Sequence, residues 1–130
     1  MNQEELIYKL SMFEQQIKQF QEQILSIEQG IQELQELNKG LSDLEKSNQE
    51  EIFAGIGKGI FIKAKMISKD LIVDIGNENF IRKTIPETIE VIKNQIKKLL
   101  EAKVELNKVI EELNNSLNET VLDFQHKKFK

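Results

Sequence analysis

Gly55-Ile56-Gly57-Lys58-Gly59 is the stretch whose residue order comes nearest to phosphate chemistry. A phosphate loop needs four residues between its glycines and a Ser or Thr after Gly-Lys, so that backbone N–H groups cradle the phosphates and the lysine reaches them. Neither condition holds, and a dinucleotide fingerprint would need glycine at position 60, which is Ile60. These glycines read as tight-turn positions with positive φ. The single histidine, His126, stands beside Lys127 and Lys128 and reads as part of a solvated tail. Carboxylate groupings such as Glu111-Glu112 and Asp70/Asp74 read as ordinary solvated charges. Zero cysteines exclude a disulfide framework, a thiolate zinc site and a cysteine nucleophile. No catalytic, cofactor-binding or metal-binding residue is expected, and the chain is predicted not to be an enzyme.

Eighteen Lys and Arg stand against 22 Asp and Glu, a net charge of -4, so there is no cationic surplus to hold a nucleic-acid backbone. The opening Met1-Asn2-Gln3-Glu4-Glu5 is polar and acidic, and nowhere do 18 apolar residues run together, so a cytoplasmic protein without membrane contact is expected. At 130 residues the chain suits one domain, read as a first helix over 1–48, a central segment over 49–84 and a second helix over 85–130.

The elements that carry the apolar residues are strongly periodic. Leu6, Leu10, Phe13, Ile17, Phe20, Ile24, Ile27, Ile31, Leu34, Asn38 and Leu41 alternate steps of four and three, a heptad seam. Ile85, Ile89, Ile92, Ile96, Leu99, Lys103, Leu106, Ile110, Leu113, Leu117, Thr120 and Phe124 repeat it. Leu6–Leu41 and Ile89–Phe124 each cover 36 residues, roughly 54 Å of helix. Folded back antiparallel, the two seams meet with position numbers summing to 130, although a slip of seven keeps the same phase. Asn38 and Lys103 are polar seam positions suited to fixing register. Gly30 lies off the seam as a point of weakness or bending. Thr84, Pro86 and Glu87 form a capping-box start for the second helix.

Residues 52 to 84 change character. Strands are predicted near 52–56, 60–67, 71–75 and 80–84, joined by Gly57-Lys58-Gly59, Ser68-Lys69-Asp70 and Gly76-Asn77-Glu78-Asn79 as two hairpins. The fold class is therefore α+β: a long antiparallel two-helix coiled coil joined by a central four-strand oligomerisation segment. Four short strands cannot bury a core unaided, so Ile52, Phe53, Ile56, Ile60, Phe61, Ile62, Ile72, Val73, Phe80 and Ile81 are expected to form an obligate contact with other subunits.

This arrangement resembles prefoldin, and its alpha class in particular, over nearly the whole chain. The resemblance rests on Ile52-Phe53-Ala54-Gly55-Ile56-Gly57-Lys58-Gly59-Ile60-Phe61-Ile62-Lys63-Ala64-Lys65, then Val73-Asp74-Ile75-Gly76 and Phe80-Ile81-Arg82-Lys83-Thr84. Alpha-class subunits carry a similar glycine-punctuated segment with two hairpins. The resemblance implies a hexamer of two alpha and four beta subunits. It also implies an ATP-independent chaperone, without cofactor, that holds unfolded client proteins between coiled-coil tips and passes them to a group II chaperonin. Some alpha-class relatives assemble into filaments, so the alternative is a structural spacer or filament-forming subunit without client transfer. At the tip, Ile7, Met12, Val121, Leu122 and Phe129 are apolar yet off the seam. They either offer a client-binding surface or pack at flanking heptad positions.

Overall fold

The computed structural model of the chain describes residues 2–128. Helix α1 (Gln3–Lys46) is followed by strands β1 (Glu51–Gly57), β2 (Ile60–Lys65), β3 (Leu71–Gly76) and β4 (Asn79–Lys83), and then by helix α2 (Ile85–Lys128). This is the expected α+β arrangement. The chain divides into two compact units: one combines the chain up to Glu33 with the chain from Ile96 onward, and the other is Leu34–Gln95.

The first unit is a helix pair. Seam residues from Leu6 to Ile27 on α1 and from Ile96 to Phe124 on α2 are half-buried, whereas most of the residues between them are exposed. Two facing helices share a single stripe, so each seam side chain is covered on one side only; Ile31 is the one described hydrophobic residue of this unit that is buried. Lys103 Nζ lies 3.1 Å from Glu28 Oε1, and a Cβ built on Gly30 would lie 3.8 Å from Leu99 Cδ1. The pairs 28/103 and 30/99 run in opposite senses and bracket the expected sum of 130, which selects this register over a slip of seven. α1 continues unbroken through Gly30.

The second unit holds the end of α1, the four strands and the start of α2. Asn2 caps the other end of α1, accepting the Glu5 N–H at 2.8 Å. Thr84 and Glu87 form the reciprocal capping box of α2: the Glu87 N–H donates to Thr84 Oγ1 at 3.2 Å and the Thr84 N–H to Glu87 Oε2 at 3.4 Å. Ile85, the first residue after that cap, is only 2% exposed, and Ile92 is also buried.

The strands form two separate two-stranded antiparallel sheets, β1-β2 and β3-β4. Gly55 faces Phe61 and Gly57 faces Ile60, leaving Ile56 as an extra bulged residue; Asp74 faces Phe80 and Gly76 faces Asn79, leaving Ile75. Both turns place three successive residues at positive φ, Gly57, Lys58 and Gly59 in one and Gly76, Asn77 and Glu78 in the other, the last two of each being the central turn residues. That conformation matches the twist of the flanking strands. Strand β2 stops at Lys65 rather than at Ile67. Its partner β1 begins at Glu51, and after Met66 N–H donates to the Glu50 carbonyl at 2.6 Å no further residue stands opposite. Asn79 belongs to β4 and not to the turn, because it pairs with Gly76.

Candidate interaction surfaces

Alternation along each hairpin separates two faces. In the first hairpin Phe53, Gly55, Phe61 and Lys63 share a face, and Ile52, Ala54, Ile62 and Ala64 share the other. In the second, Ile72, Asp74, Phe80 and Arg82 lie on one face and Leu71, Val73, Ile81 and Lys83 on the other. Of the residues expected to contact other subunits, Phe53 and Ile72 are each 73% exposed, and Ile56, Ile60, Phe61, Ile62 and Phe80 are also exposed. Ile52, Val73 and Ile81 are half-buried. Each strand has a partner on one side only, so its outer row of backbone N–H and C=O groups is open.

The two hairpins are equivalent at an offset of 19 residues. Register pairs 55/61 and 57/60 become 74/80 and 76/79, and the exposed Phe53, Ile56 and Phe61 become Ile72, Ile75 and Phe80. Ile75, overlooked among the expected contact residues, is thus the counterpart of Ile56 and is 58% exposed. The signal was present in the sequence as Ile-Gly at 56–57 and 75–76 and Phe at 61 and 80. Ile67, in the linker between the hairpins, is also fully open to solvent. Gly57-Lys58-Gly59 leads from strand to strand and not into a helix, so it lacks the helix N-terminus on which a phosphate loop relies.

In the helix pair of the first unit, Ile7, Met12 and Leu122 are exposed, while Val121 is half-buried. Phe129 lies outside the described residues. Tyr8, which the seam argument did not single out, is 70% exposed and, with Met12 and the side chains of Glu4, Glu5 and Lys9, lines a shallow, mainly apolar groove. Its position one residue after Ile7, on the outer side of the seam, is a readable signal. The antiparallel register places the start of α1 and the end of α2 at the same end of this unit.

Charges are arranged at the surface. Lys63 pairs with Glu51 and Lys65 with Glu50, each at 3.4 Å and exposed. Lys69 Nζ donates to the Glu45 carbonyl at 2.6 Å and the Ser47 carbonyl at 2.9 Å, satisfying the C-terminal end of α1. Among the described residues no group of three or more His, Cys, Asp or Glu side chains is placed to hold a metal ion, and no helix is long and apolar enough to cross a membrane.

A family model described as prefoldin subunit matches residues 13–128, which takes in both hairpins, all of α2 and α1 from Phe13 onward. The chain belongs to the prefoldin family. Prefoldin subunit alpha 1 of Methanocaldococcus jannaschii is 28% identical over 104 residues, covering 80% of this chain and 72% of that protein. Prefoldin subunit alpha of Methanococcus aeolicus is 33% identical over 122 residues, covering 88% and 83%. Among solved structures, a chain in the cryo-EM structure of filamentous PFD from Methanocaldococcus jannaschii matches with a TM-score of 0.78 and 19% identity, over 87% of this chain and 95% of that one. That likeness shows the prefoldin fold. The match begins at Phe13, so Ile7, Tyr8 and Met12 precede it and Val121 and Leu122 fall inside it.

Proposed function

We propose that this chain is an ATP-independent holding chaperone subunit. It assembles through its hairpins with beta-class prefoldin subunits, two alpha to four beta, binds unfolded proteins at the free end of its helix pair and delivers them to a group II chaperonin in the cytoplasm. Family membership supports the chaperone class. The observation that carries client binding is the cluster of exposed apolar residues at the start of α1 and the end of α2, Ile7, Tyr8, Met12 and Leu122, which the seam does not cover. A flexible methionine and open aliphatic side chains suit weak, adaptable contacts, and several subunits presenting such ends add their contacts through raised effective concentration. Assembly is assigned to Ile52, Phe53, Ile56, Ile60, Phe61, Ile62, Ile72, Val73, Phe80 and Ile81, whose apolar surface two-stranded sheets leave open.

Co-expression with beta-class subunits followed by native mass measurement tests assembly; suppression of aggregation of an unfolded client tests holding. A closed hetero-oligomer whose activity is the same with and without ATP is expected. Changing Ile7, Met12, Val121, Leu122 and Phe129 together to Ser is expected to keep the assembly mass and reduce suppression in a graded manner. Full suppression by that variant would mean that these side chains are packing residues. The second reading is a filament-forming spacer without client transfer, with which the filamentous state of the structurally similar PFD is consistent. Open-ended polymers of this chain alone, without suppression, would select it.

A further inference from the structure

Three exposed apolar residues of the helix pair stand away from its free end and off its seam: Leu25, Leu100 and Val104, at 65%, 48% and 53% exposure. They share one flank. Leu25 stands three residues before Glu28, and Leu100 stands three before Lys103 and four before Val104, spacings that make neighbours on a helix surface. Lys103 Nζ reaches Glu28 Oε1 across the pair at 3.1 Å, so this ion pair marks the flank on which all three lie. Steps of seven carry that flank along both helices. On α1 they run from Glu28 through Gln21 and Glu14 to Ile7, and on α2 from Leu100 through Asn107 and Asn114 to Val121. The exposed Ile7 and the half-buried Val121 at the free end therefore lie on the same side as the patch. Charge is divided unevenly between the flanks of α2. Between Leu100 and Val121 the apolar flank carries the exposed Asn107, Asn114 and Asn118 and one carboxylate, Glu111, whereas the opposite flank carries Glu105, Glu112 and Glu119.

We propose that this flank holds one extended segment of an unfolded client, running from the patch at Leu25, Leu100 and Val104 to Ile7 and Val121 at the free end. The inference rests on the reading of the chain as a holding chaperone and adds a second contact and the client's path between the two. Three such side chains expose on the order of 300 Å² of apolar surface, whereas a stable interface with a folded partner or a second copy buries about 600 Å² or more on each side. The patch alone is too small for either. An unfolded segment does not need that area, because contacts at the patch and at the free end add through raised effective concentration. Leu100 and Val121 are 21 residues apart, roughly 31 Å of helix, which an extended chain spans with about ten residues. Such a segment also brings unpaired backbone N–H and C=O groups. The asparagine amides between the two contacts both donate and accept hydrogen bonds, whereas the carboxylates of the opposite flank only accept.

The test uses the full chain, alone and co-assembled with beta-class subunits, and reduced, carboxymethylated α-lactalbumin as a permanently unfolded probe. The sequence has no cysteine, so an environment-sensitive dye can be placed on one flank through Asn107→Cys or on the other through Glu105→Cys. The probe is expected to shift the emission of the dye at 107 and to leave that at 105 unchanged. Leu25→Gln, Leu100→Gln and Val104→Gln together are expected to weaken probe binding about 3- to 10-fold. Their circular dichroism spectrum should be unchanged, since all three residues are exposed. A peptide of about ten residues with leucine at both ends should compete for the probe better than one of about five residues, and should lose that advantage in the triple variant. Equal shifts at 107 and 105, a shift at 105 alone, no shift at either, or unchanged binding by the triple variant would each overturn the inference. A shift at 107 on adding beta-class subunits, which the probe then does not alter, would assign the flank to a neighbouring subunit and overturn it too. If the triple variant binds the probe like the unchanged chain while the five-site Ser variant loses suppression, this inference falls and the proposed function stands. If neither variant changes suppression, client binding by this chain falls with it.

Discussion

Asn38 donates its amide nitrogen to the Ile89 carbonyl at 3.2 Å, while its amide oxygen is buried without a partner. A buried unsatisfied acceptor costs about 1–3 kcal/mol, and a polar side chain in a heptad seam discriminates against slipped pairings. Asn38→Leu is therefore expected to raise the thermal midpoint and to loosen the register, read as a second set of cross-links between cysteine pairs introduced along the two helices. Gly30 and Gly40 present the opposite case. A Cβ on Gly30 would make an ordinary contact with Leu99, and one on Gly40 would meet nothing within 4 Å. Gly30→Ala and Gly40→Ala are each expected to stabilise by about 0.5–1 kcal/mol in chemical denaturation. At Gly57, where φ is +124°, alanine is expected to destabilise the first hairpin by about 1–3 kcal/mol, visible as faster amide exchange in β1 and β2.

At the scale of elements, side-chain hydrogen bonds gather at the helix ends. The capping box satisfies two backbone donors at the start of α2, so Thr84→Ala is expected to cost about 1 kcal/mol, measured by denaturant titration. Lys69 acts over a longer distance in sequence. From the linker between the hairpins it donates to carbonyls of Glu45 and Ser47, joining that linker to the last turn of α1. Lys69→Met is expected to speed amide exchange in that turn by about two- to fivefold and to leave exchange near Gly30 unchanged. The seam itself tolerates Lys103 because the ammonium reaches Glu28 on the facing helix while its aliphatic stem stays half-covered.

At the scale of the whole molecule, the chain exposes 10550 Å², against about 7,100 Å² for a compact monomer of 15.1 kDa. Ile31, Ile85 and Ile92 are the buried hydrophobic residues among those described, while Phe53, Ile60, Phe61, Ile72 and Phe80 stand open on the hairpins. Replacing Ile60 and Ile62 with Lys is expected to release monomers that retain their helical content, measured by native mass and circular dichroism. An assembly of unchanged mass would move the oligomerisation surface off the first hairpin.

Much of this fold was legible in the residues because the decisive patterns are local. Four-three spacing fixes which side of each helix is apolar, a Thr three residues before Glu fixes where α2 starts, and glycine at positive φ marks where the strands turn. Slips of seven preserve that spacing, so the register of the helix pair was decided only where Gly30 approaches Leu99 and Glu28 meets Lys103. The end of β2 depended on where β1 begins, and the partners of Lys69 and Asn38 stand 22 to 51 residues away. The internal repeat lay in the sequence, but its meaning came from the paired register, which shows that residues 19 apart occupy the same place in two sheets. Periodicity and turn chemistry act through neighbours along the chain, whereas register, strand ends and long-range caps depend on what stands across a gap, and only the folded chain brings those groups together.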